Sequence, residues 1–402
     1  MRLSLRILGR FLFSFSIVLA FTDCTADVTG DTSNGPKTDD EVAMGTDGTA
    51  KTDTDPASGD DVNPFVPTAL IHYVGRFDTR GRAGPKFSWS ASGFVTRFTG
   101  TGIGVMLSGQ DSEIYFSAFI DGGSEVKFET KGGPAKLYAI ASGLTPGEHE
   151  LRLYRNTEAY ARESQFRGFA VTDGELIVSE SPFKHTIEFI GDSITTGYGN
   201  EGAPGCVGNP PATQNATKAW GSVAAKALLS AQTLVAWSGK GMYSNGDGGT
   251  ADIMPVLYDR AVPTDPSSTL SLTDLPPDAV VINLGTNDFS AAHPVGDQAD
   301  PTAKANYIAA YTNAYKNFLL RLRTLYPKAG IFGAVGTMTN SYKTPVQNAV
   351  TATHDANIYV VDLGLQNPPY GCDGHPSVAT DAAMGATLAS SVAGKLGWGI
   401  VR

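Results

Sequence analysis

Four short polar turns carry the residues of this sequence best suited to acyl chemistry. The first, Gly191-Asp192-Ser193-Ile194, follows the apolar run from Thr186 to Ile190. A serine placed there sits on a tight turn at the end of a buried strand, with its hydroxyl exposed and its own N–H free. The second, Ala236-Trp237-Ser238-Gly239-Lys240-Gly241, offers bare backbone N–H groups that can approach a ligand. The third, Asn283-Leu284-Gly285-Thr286-Asn287-Asp288, offers an amide side chain. The fourth, Tyr370-Gly371-Cys372-Asp373-Gly374-His375-Pro376, supplies an imidazole with a carboxylate two residues before it. Taken singly these are a common Gly-Asp-Ser turn, glycine turns, an Asn-Asp loop and a helix start. Taken in order at one sheet edge, they supply a hydroxyl nucleophile, a base, an orienter for the base and donors for a developing oxyanion.

Such turns need a frame that ends them all on one rim. From Lys184 onward, apolar strands at His185 to Ile190, Thr233 to Trp237, Ala279 to Leu284, Gly330 to Val335 and Ile358 to Leu363 alternate with stretches of helical period. The helices are expected over 216–229, 303–325, 344–354 and 378–396, and the longest puts Tyr307, Ala310, Tyr311, Ala314, Phe318 and Leu322 on one face. Nearly continuous apolar strands separated by helices imply an α/β domain, a parallel sheet covered on both faces. Ligands in such sheets bind beyond the carboxyl ends of the strands, where the four turns fall.

The chain before Lys184 is organised differently. Residues 64–183 alternate in short runs such as Leu70 to Val74, Phe94 to Phe98, Ile103 to Leu107, Ile114 to Ile120 and Glu148 to Tyr154. With Gly, Asp and Pro between them, they read as an antiparallel β-sandwich of jelly-roll type. Residues 25–63 are Asp, Thr, Gly, Ser and Pro with almost no large apolar side chain, an acidic linker expected to be disordered. Residues 1–24 have Arg2, Arg6 and Arg10 ahead of the run Phe11 to Phe21, a secretory leader too short to span a bilayer. Its end has two readings. Val18-Leu19-Ala20 suits ordinary cleavage, whereas Cys24 stands where a bacterial lipoprotein is lipidated and would tether the chain to a membrane. The reading is thus four segments: leader 1–24, linker 25–63, sandwich 64–183 and α/β domain 184–402. An exported chain meets oxidising conditions, so Cys206 and Cys372 are expected to pair.

Of the net charge of −10, the leader contributes +2 and residues 25–64 contribute −8, leaving −4 on the folded part. No basic footprint exists, which argues against nucleic acid as a partner. His293 and His354 read as surface or structural residues. No His, Asp or Cys cluster has metal-ligand spacing, and no glycine-rich loop has the P-loop or dinucleotide pattern, so neither a metal nor a cofactor is expected.

The four blocks together resemble the SGNH, or GDSL, hydrolase superfamily over residues 184–402. The resemblance implies Ser193 as nucleophile and His375 as base. It also implies an oxyanion hole formed by the Ser193 N–H, the Gly239 N–H and the Asn287 side chain, with Gly241 as the alternative to Gly239. The superfamily's last block has Asp three residues before His. Here Cys372 occupies that place and the acid is Asp373, two before His375. In an extended segment residues two apart project to one side, so Asp373 is expected to orient the far ring nitrogen. That spacing, the N-terminal sandwich, Gly197-Tyr198-Gly199 and Ser238-Gly239-Lys240-Gly241 are similar to carbohydrate esterase family 2. Members of that family often have an aromatic before the histidine, where this chain has Gly374. The implied activity is extracytoplasmic deacetylation of acetylated polysaccharide through an acetyl-serine, in a secreted, periplasmic or surface-held protein. A lipase-like esterase, a peptidoglycan O-acetyl esterase, an acyl transferase and a carbohydrate-binding module without turnover are the alternatives; the oligomeric state is left open.

Overall fold

The long strands near the start of the folded chain show how it bends without losing its pairing. In the computed structural model residues 69–401, apart from Leu275, are described, and they belong to one compact unit. The leader, the acidic linker and Cys24 lie outside the described residues. Strands β1 (Ile71–Val74), β2 (Lys86–Phe87), β3 (Gly93–Ile120), β4 (Val126–Arg155), β5 (Ser164–Thr172) and β6 (Leu176–Ile177) form one antiparallel sheet. The runs read as separate strands at 94–98, 103–107 and 114–120 are all parts of β3. Its register against β4 shifts at Gly100/Gly102, at Leu107/Gly109 and around Phe116. Each shift is a bulge that bends the strand and adds twist while the ladder continues on either side. The bending is large enough for Phe116 to pair with both Phe128 and Arg155, near opposite ends of β4. The sheet therefore curls around its own apolar filling, including Phe87, Phe94, Phe98, Phe116 and Phe166, with Phe94 stacked on Phe166 at 4.2 Å.

From β7 (His185–Gly191) the pattern becomes α/β. Helix α1 (Ser193–Thr196) is one turn, followed by α2 (Trp220–Ala227), β8 (Ser230–Ala236), α3 (Met254–Leu257), β9 (Ala279–Asn283) and α4 (Pro301–Leu325). Strand β10 (Gly330–Thr337), α5 (Lys343–Thr351), β11 (Ile358–Leu365) and α6 (Val378–Leu396) complete the chain. The strand order is β11-β10-β9-β7-β8, all parallel. Alternate residues point to opposite faces, and the core divides accordingly. Ile187, Phe189, Val281 and Phe332 pack on α2 and α6, while Ile190, Val280, Ile282 and Val335 pack on α4 and α5. Helix α2 begins four residues later than its apolar pattern. Asn215 first caps the short 3-10 turn Ala216–Lys218, accepting from the Thr217 N–H, and Ala219 is extended. On α4 the buried face includes Tyr315 and Leu319 beside the expected Tyr311, Phe318 and Leu322. The hydroxyls of Tyr311 and Tyr315 donate to the Leu284 and Ile282 carbonyls at 2.8 and 3.1 Å, which is how phenols are accommodated in an apolar layer.

The two halves are keyed together. Trp89, from the N-terminal half, is fully buried among Ile190, Val235 and Tyr258 and donates to the Arg260 carbonyl. Buried Arg76 reaches Glu188 on β7 at 2.6 Å and lies over the Tyr258 ring. Removing one partner of such a buried pair costs about 3–5 kcal/mol, because the other charge is left uncompensated.

Candidate active site

Ser193 opens α1, immediately after β7. Its N–H, like those of any first helical turn, has no intrahelical acceptor. Asp192 caps the turn by accepting from the Ile194 N–H at 3.0 Å. The serine side chain is nearly buried, and its Oγ lies 2.8 Å from His375 Nε2, within the reach that a nucleophile and its base require. His375 follows the 3-10 turn Cys372–Gly374, and Pro376 and Ser377 lead from it into α6. The far ring nitrogen, Nδ1, lies 3.1 Å from the Cys372 carbonyl oxygen. That contact fixes the tautomer with the proton on Nδ1 and leaves Nε2 free to take the serine proton.

Asp373 does not occupy the place its spacing suggested. The segment is a turn instead of an extended strand, with Asp373 itself left-handed at φ 51°, so the same-side argument for residues two apart fails. Its carboxylate accepts from the Tyr198 hydroxyl at 2.7 Å and the Gly208 N–H at 2.8 Å. The Cys372 carbonyl orients the imidazole, and Asp373 acts on it through charge and through Tyr198. The Tyr198 ring stacks on the His375 ring at 3.9 Å with 17° between planes, a support absent from the expectations. Its only signal in the sequence was the aromatic within Gly197-Tyr198-Gly199.

The loops around this pair are tied by the Cys206–Cys372 disulfide, with Cα atoms 4.4 Å apart. The Cys372 N–H donates to the Gly199 carbonyl and the Asp373 N–H to the Cys206 carbonyl. A Cβ added at Gly199, already at φ +50°, would sit 2.4 Å from the Cys372 Cβ, so close approach of the two loops requires the glycine.

The oxyanion candidates stand in the turns that follow β7, β8 and β9. Gly239 has φ +80°, and its N–H has no acceptor among the described residues. The Gly241 N–H instead donates to Asn245 Oδ1, so of the two glycines it is Gly239 that keeps its donor available. Asn287 Nδ2 donates to the Lys240 carbonyl at 2.9 Å and to Asp192 Oδ2 at 3.3 Å. Its partners are thus the neighbours of Gly239 and of Ser193, so the amide ties the two turns together. The longer contact to Asp192 is the one that a developing oxyanion, a stronger acceptor, would displace. Asp192 is fully buried, and burial, aided by the charges of Asp288 and Glu158, pushes its carboxyl up to about 7. Asp288 accepts the N–H groups of Met242, Tyr243 and Ser244 and so shapes the loop after Gly241. His293 is buried against Tyr307 with Nε2 3.0 Å from the Asn245 carbonyl, a structural placement. Among the described residues no group of His, Cys, Asp and Glu is arranged to hold a metal ion.

Burial lowers the His375 pKa below its ordinary value, against the opposing pull of the Cys372 carbonyl and the Asp373 charge. The neutral base therefore persists into mildly acidic solution, and the acidic limb of kcat/KM should fall below pH 6.5. Asp373→Asn removes a charge that favours imidazolium, so it should move this limb to still lower pH. Because the carboxylate does not touch the ring, kcat at neutral pH should drop by less than about tenfold, far from the 10⁴-fold loss where an aspartate orients the base directly. A pH–rate series on the two proteins measures both; a loss of several thousand-fold would return the orienting role to Asp373.

The family model described as carbohydrate esterase 2 N-terminal matches residues 73–180, and that described as GDSL-like lipase/acylhydrolase matches residues 187–388. The chain is 36% identical over 340 residues to a cellulase/esterase of Acetivibrio thermocellus, covering 82% of this chain. It spans only 40% of that relative's length. An acetylxylan esterase/glucomannan deacetylase of Cellvibrio japonicus is 28% identical over 77% of this chain and 86% of its own length. Among solved structures, a family two carbohydrate esterase from Clostridium thermocellum in complex with cellohexaose superposes with a TM-score of 0.75 at 34% identity. That likeness covers 82% of this chain and 99% of that one. A curled β domain joined to a parallel α/β sheet is the fold this chain shares with that solved esterase, and the chain belongs to the GDSL-like acylhydrolases, as a carboxylic ester hydrolase of carbohydrate esterase family 2.

Proposed function

We propose that the protein removes O-acetyl groups from polysaccharide outside the cytoplasm, by way of an acetyl-Ser193 intermediate. The observation that carries the mechanism is the 2.8 Å contact between Ser193 Oγ and His375 Nε2. Ser193 Oγ attacks the acetyl carbonyl as Nε2 takes its proton, and the tetrahedral oxyanion is met by the Ser193 and Gly239 N–H groups and Asn287 Nδ2. Imidazolium then protonates the departing sugar oxygen, and the acetyl group stays on Ser193. Water, deprotonated by the same nitrogen, attacks the acetyl-enzyme; collapse releases acetate and returns the proton to Ser193. Acetylated glycan as substrate is supported by the relative that deacetylates xylan and glucomannan and by the neighbour that binds cellohexaose. The arginine-led apolar leader and the disulfide support an oxidising, extracytoplasmic setting. In that reading the leader is removed in either case, by cleavage after Ala20 to release a free chain or before Cys24 with a lipid on that cysteine as the tether.

The acyl pocket should be short. The loops after the serine and Gly239 turns, residues 200–205 and 243–248, contribute none of the large apolar side chains exposed among the described residues. A lipase trough would gain about 0.8 kcal/mol for each methylene buried, so its activity would climb with chain length. The expected profile for p-nitrophenyl esters is instead highest kcat/KM for acetate, a steep fall by butyrate and little activity on octanoate. A profile rising to octanoate would overturn polysaccharide deacetylation while leaving the serine esterase in place. Acetate release from a panel of acetylated glycans then identifies the polymer.

A further inference from the structure

The oxyanion turn is gripped by a residue from the other half of the molecule. Glu158 lies just after β4, as the cap of the 3-10 turn Ala159–Ala161, and is fully buried. Its carboxylate accepts the Ser238 N–H at 2.9 Å, the Ser238 hydroxyl at 2.6 Å and Asn209 Nδ2 at 2.7 Å. All three donors belong to the α/β half. Every one of these contacts donates to Glu158, the pattern that an ionised carboxylate requires. Burial pushes its pKa up, while these donors and the Thr196 hydroxyl, in the nucleophile's own turn, pull the other way. A buried carboxyl is costly unless its lone pairs are satisfied, and here two of the contacts come from a single serine.

The post that carries Glu158 is itself pinned. Arg155 is fully buried and donates to the Thr157, Glu158 and Arg162 carbonyls at 2.8, 3.1 and 2.7 Å. The Glu158 N–H donates to Gln214 at 2.9 Å. Ser238 lies between Trp237, whose N–H donates to the Gly191 carbonyl, and Gly239. Holding both the N–H and the hydroxyl of Ser238 sets the plane of the next peptide, the one that carries the Gly239 N–H. Preorganised donors of this kind stabilise a transition state only when their direction is fixed beforehand.

We propose that Glu158, supplied by the N-terminal domain, is a positioning residue of the oxyanion hole: it holds Ser238 so that the Gly239 N–H faces the oxyanion formed at Ser193. The inference rests on the acyl-transfer reading above. Glu158 touches no reacting atom and acts through Ser238. The curled β domain is thereby part of the catalytic apparatus, whatever glycan contacts it also makes.

The test uses the full chain, p-nitrophenyl acetate as substrate and methylboronic acid as a tetrahedral probe of the oxyanion hole. Active sites are counted with a serine-directed phosphonate, and unfolding temperature is measured in parallel. Glu158→Ala should lower kcat per active site about 10–100-fold, the scale of a misplaced donor, with KM within about threefold. The Kd of methylboronic acid should rise by a similar factor. Glu158→Gln should lose less, since its amide oxygen still accepts the Ser238 N–H and its NH2 group can donate to the Ser238 hydroxyl. Ser238→Ala should cost less in the Glu158→Ala background than alone, as coupled residues do. Arg80→Ala removes another contact between the halves, to the Ser267 carbonyl and Asp265, and should leave kcat unchanged. If both Glu158 variants keep kcat and boronate affinity within twofold of the parent, even with a lower unfolding temperature, Glu158 is structural and the proposal falls. Should Glu158→Ala fail to fold, Glu158→Gln and its cycle with Ser238→Ala decide in the same terms. An inactive parent protein would instead overturn the acyl-transfer reading, so the two failures are distinguishable.

Discussion

Ser193→Ala should reduce kcat on acetyl esters by about 10⁵–10⁶-fold while leaving the fold intact, the loss seen when a serine hydrolase is deprived of its nucleophile. The side chain is small and nearly buried, with its hydroxyl 2.8 Å from His375 Nε2, so replacing the hydroxyl by hydrogen opens no large void. The remaining rate would come from the oxyanion donors and from binding alone. His375→Ala should be comparable, and the double variant should be little worse than either single one, because a nucleophile without its base and a base without its nucleophile are disabled in the same step. Burst kinetics with p-nitrophenyl acetate adds a direct view of the covalent step. A variant lacking Ser193 that retains full turnover would discard the mechanism, and one that retains the burst would place the acyl group on another residue.

Asn287→Ala should lower kcat by about 10²–10³-fold with a much smaller effect on KM, because the amide contributes most when charge has developed on the carbonyl oxygen. The structure adds a second consequence. Asn287 is the side-chain donor to Asp192 Oδ2 and also holds the Lys240 carbonyl, so its loss frees both turns at once. Asp192 would then sit buried with one oxygen short of a donor, which pushes its carboxyl further toward the neutral form. The unfolding temperature of Asn287→Ala should accordingly fall relative to the parent by more at pH 8 than at pH 5. The sign follows from linkage: a buried acid with a raised native pKa is best tolerated when protonated, and its cost grows as pH rises from the ordinary aspartate range through the native value. Equal destabilisation at the two pH values would show that Asn287 does not support the Asp192 charge, and unchanged kcat would remove it from the oxyanion hole.

The parallel sheet and its functional rim are written in local sequence. The parallel sheet was legible because its strands are apolar on both faces, and Ile187, Ile190, Val280 and Val281 do divide between two cores. The carboxyl-end turns were legible because glycines and polar residues punctuate those strands, and the serine and histidine do meet there. Harder to read was the N-terminal half. Period-two alternation marks where strands run, but bulges at Gly100/Gly102 and Gly109 let separate runs join into one bent β3, and a bulge has no signature beyond a glycine. The site also holds pairings that spacing cannot reveal. Tyr198 stacks on His375, and Glu158 grips Ser238 across 80 positions of sequence.

The sequence by itself determined the class of chemistry. A hydroxyl, an amide and an imidazole after alternate strands, β7, β9 and β11, of one parallel sheet have few other uses, and the order in which the sheet delivers them follows from its connectivity. Only the tertiary structure decided what orients the base and what holds the oxyanion turn. Asp373 is two residues from His375, yet a left-handed turn sends its carboxylate to Tyr198 and leaves the imidazole to the Cys372 carbonyl. Glu158, distant in sequence and in another domain, reaches Ser238 because Arg76, Trp89 and Glu188 lock the two halves together. The physical reason is the same in both cases. Side-chain direction depends on backbone dihedrals and on what packs behind them, and neither quantity is carried by residue type and spacing alone.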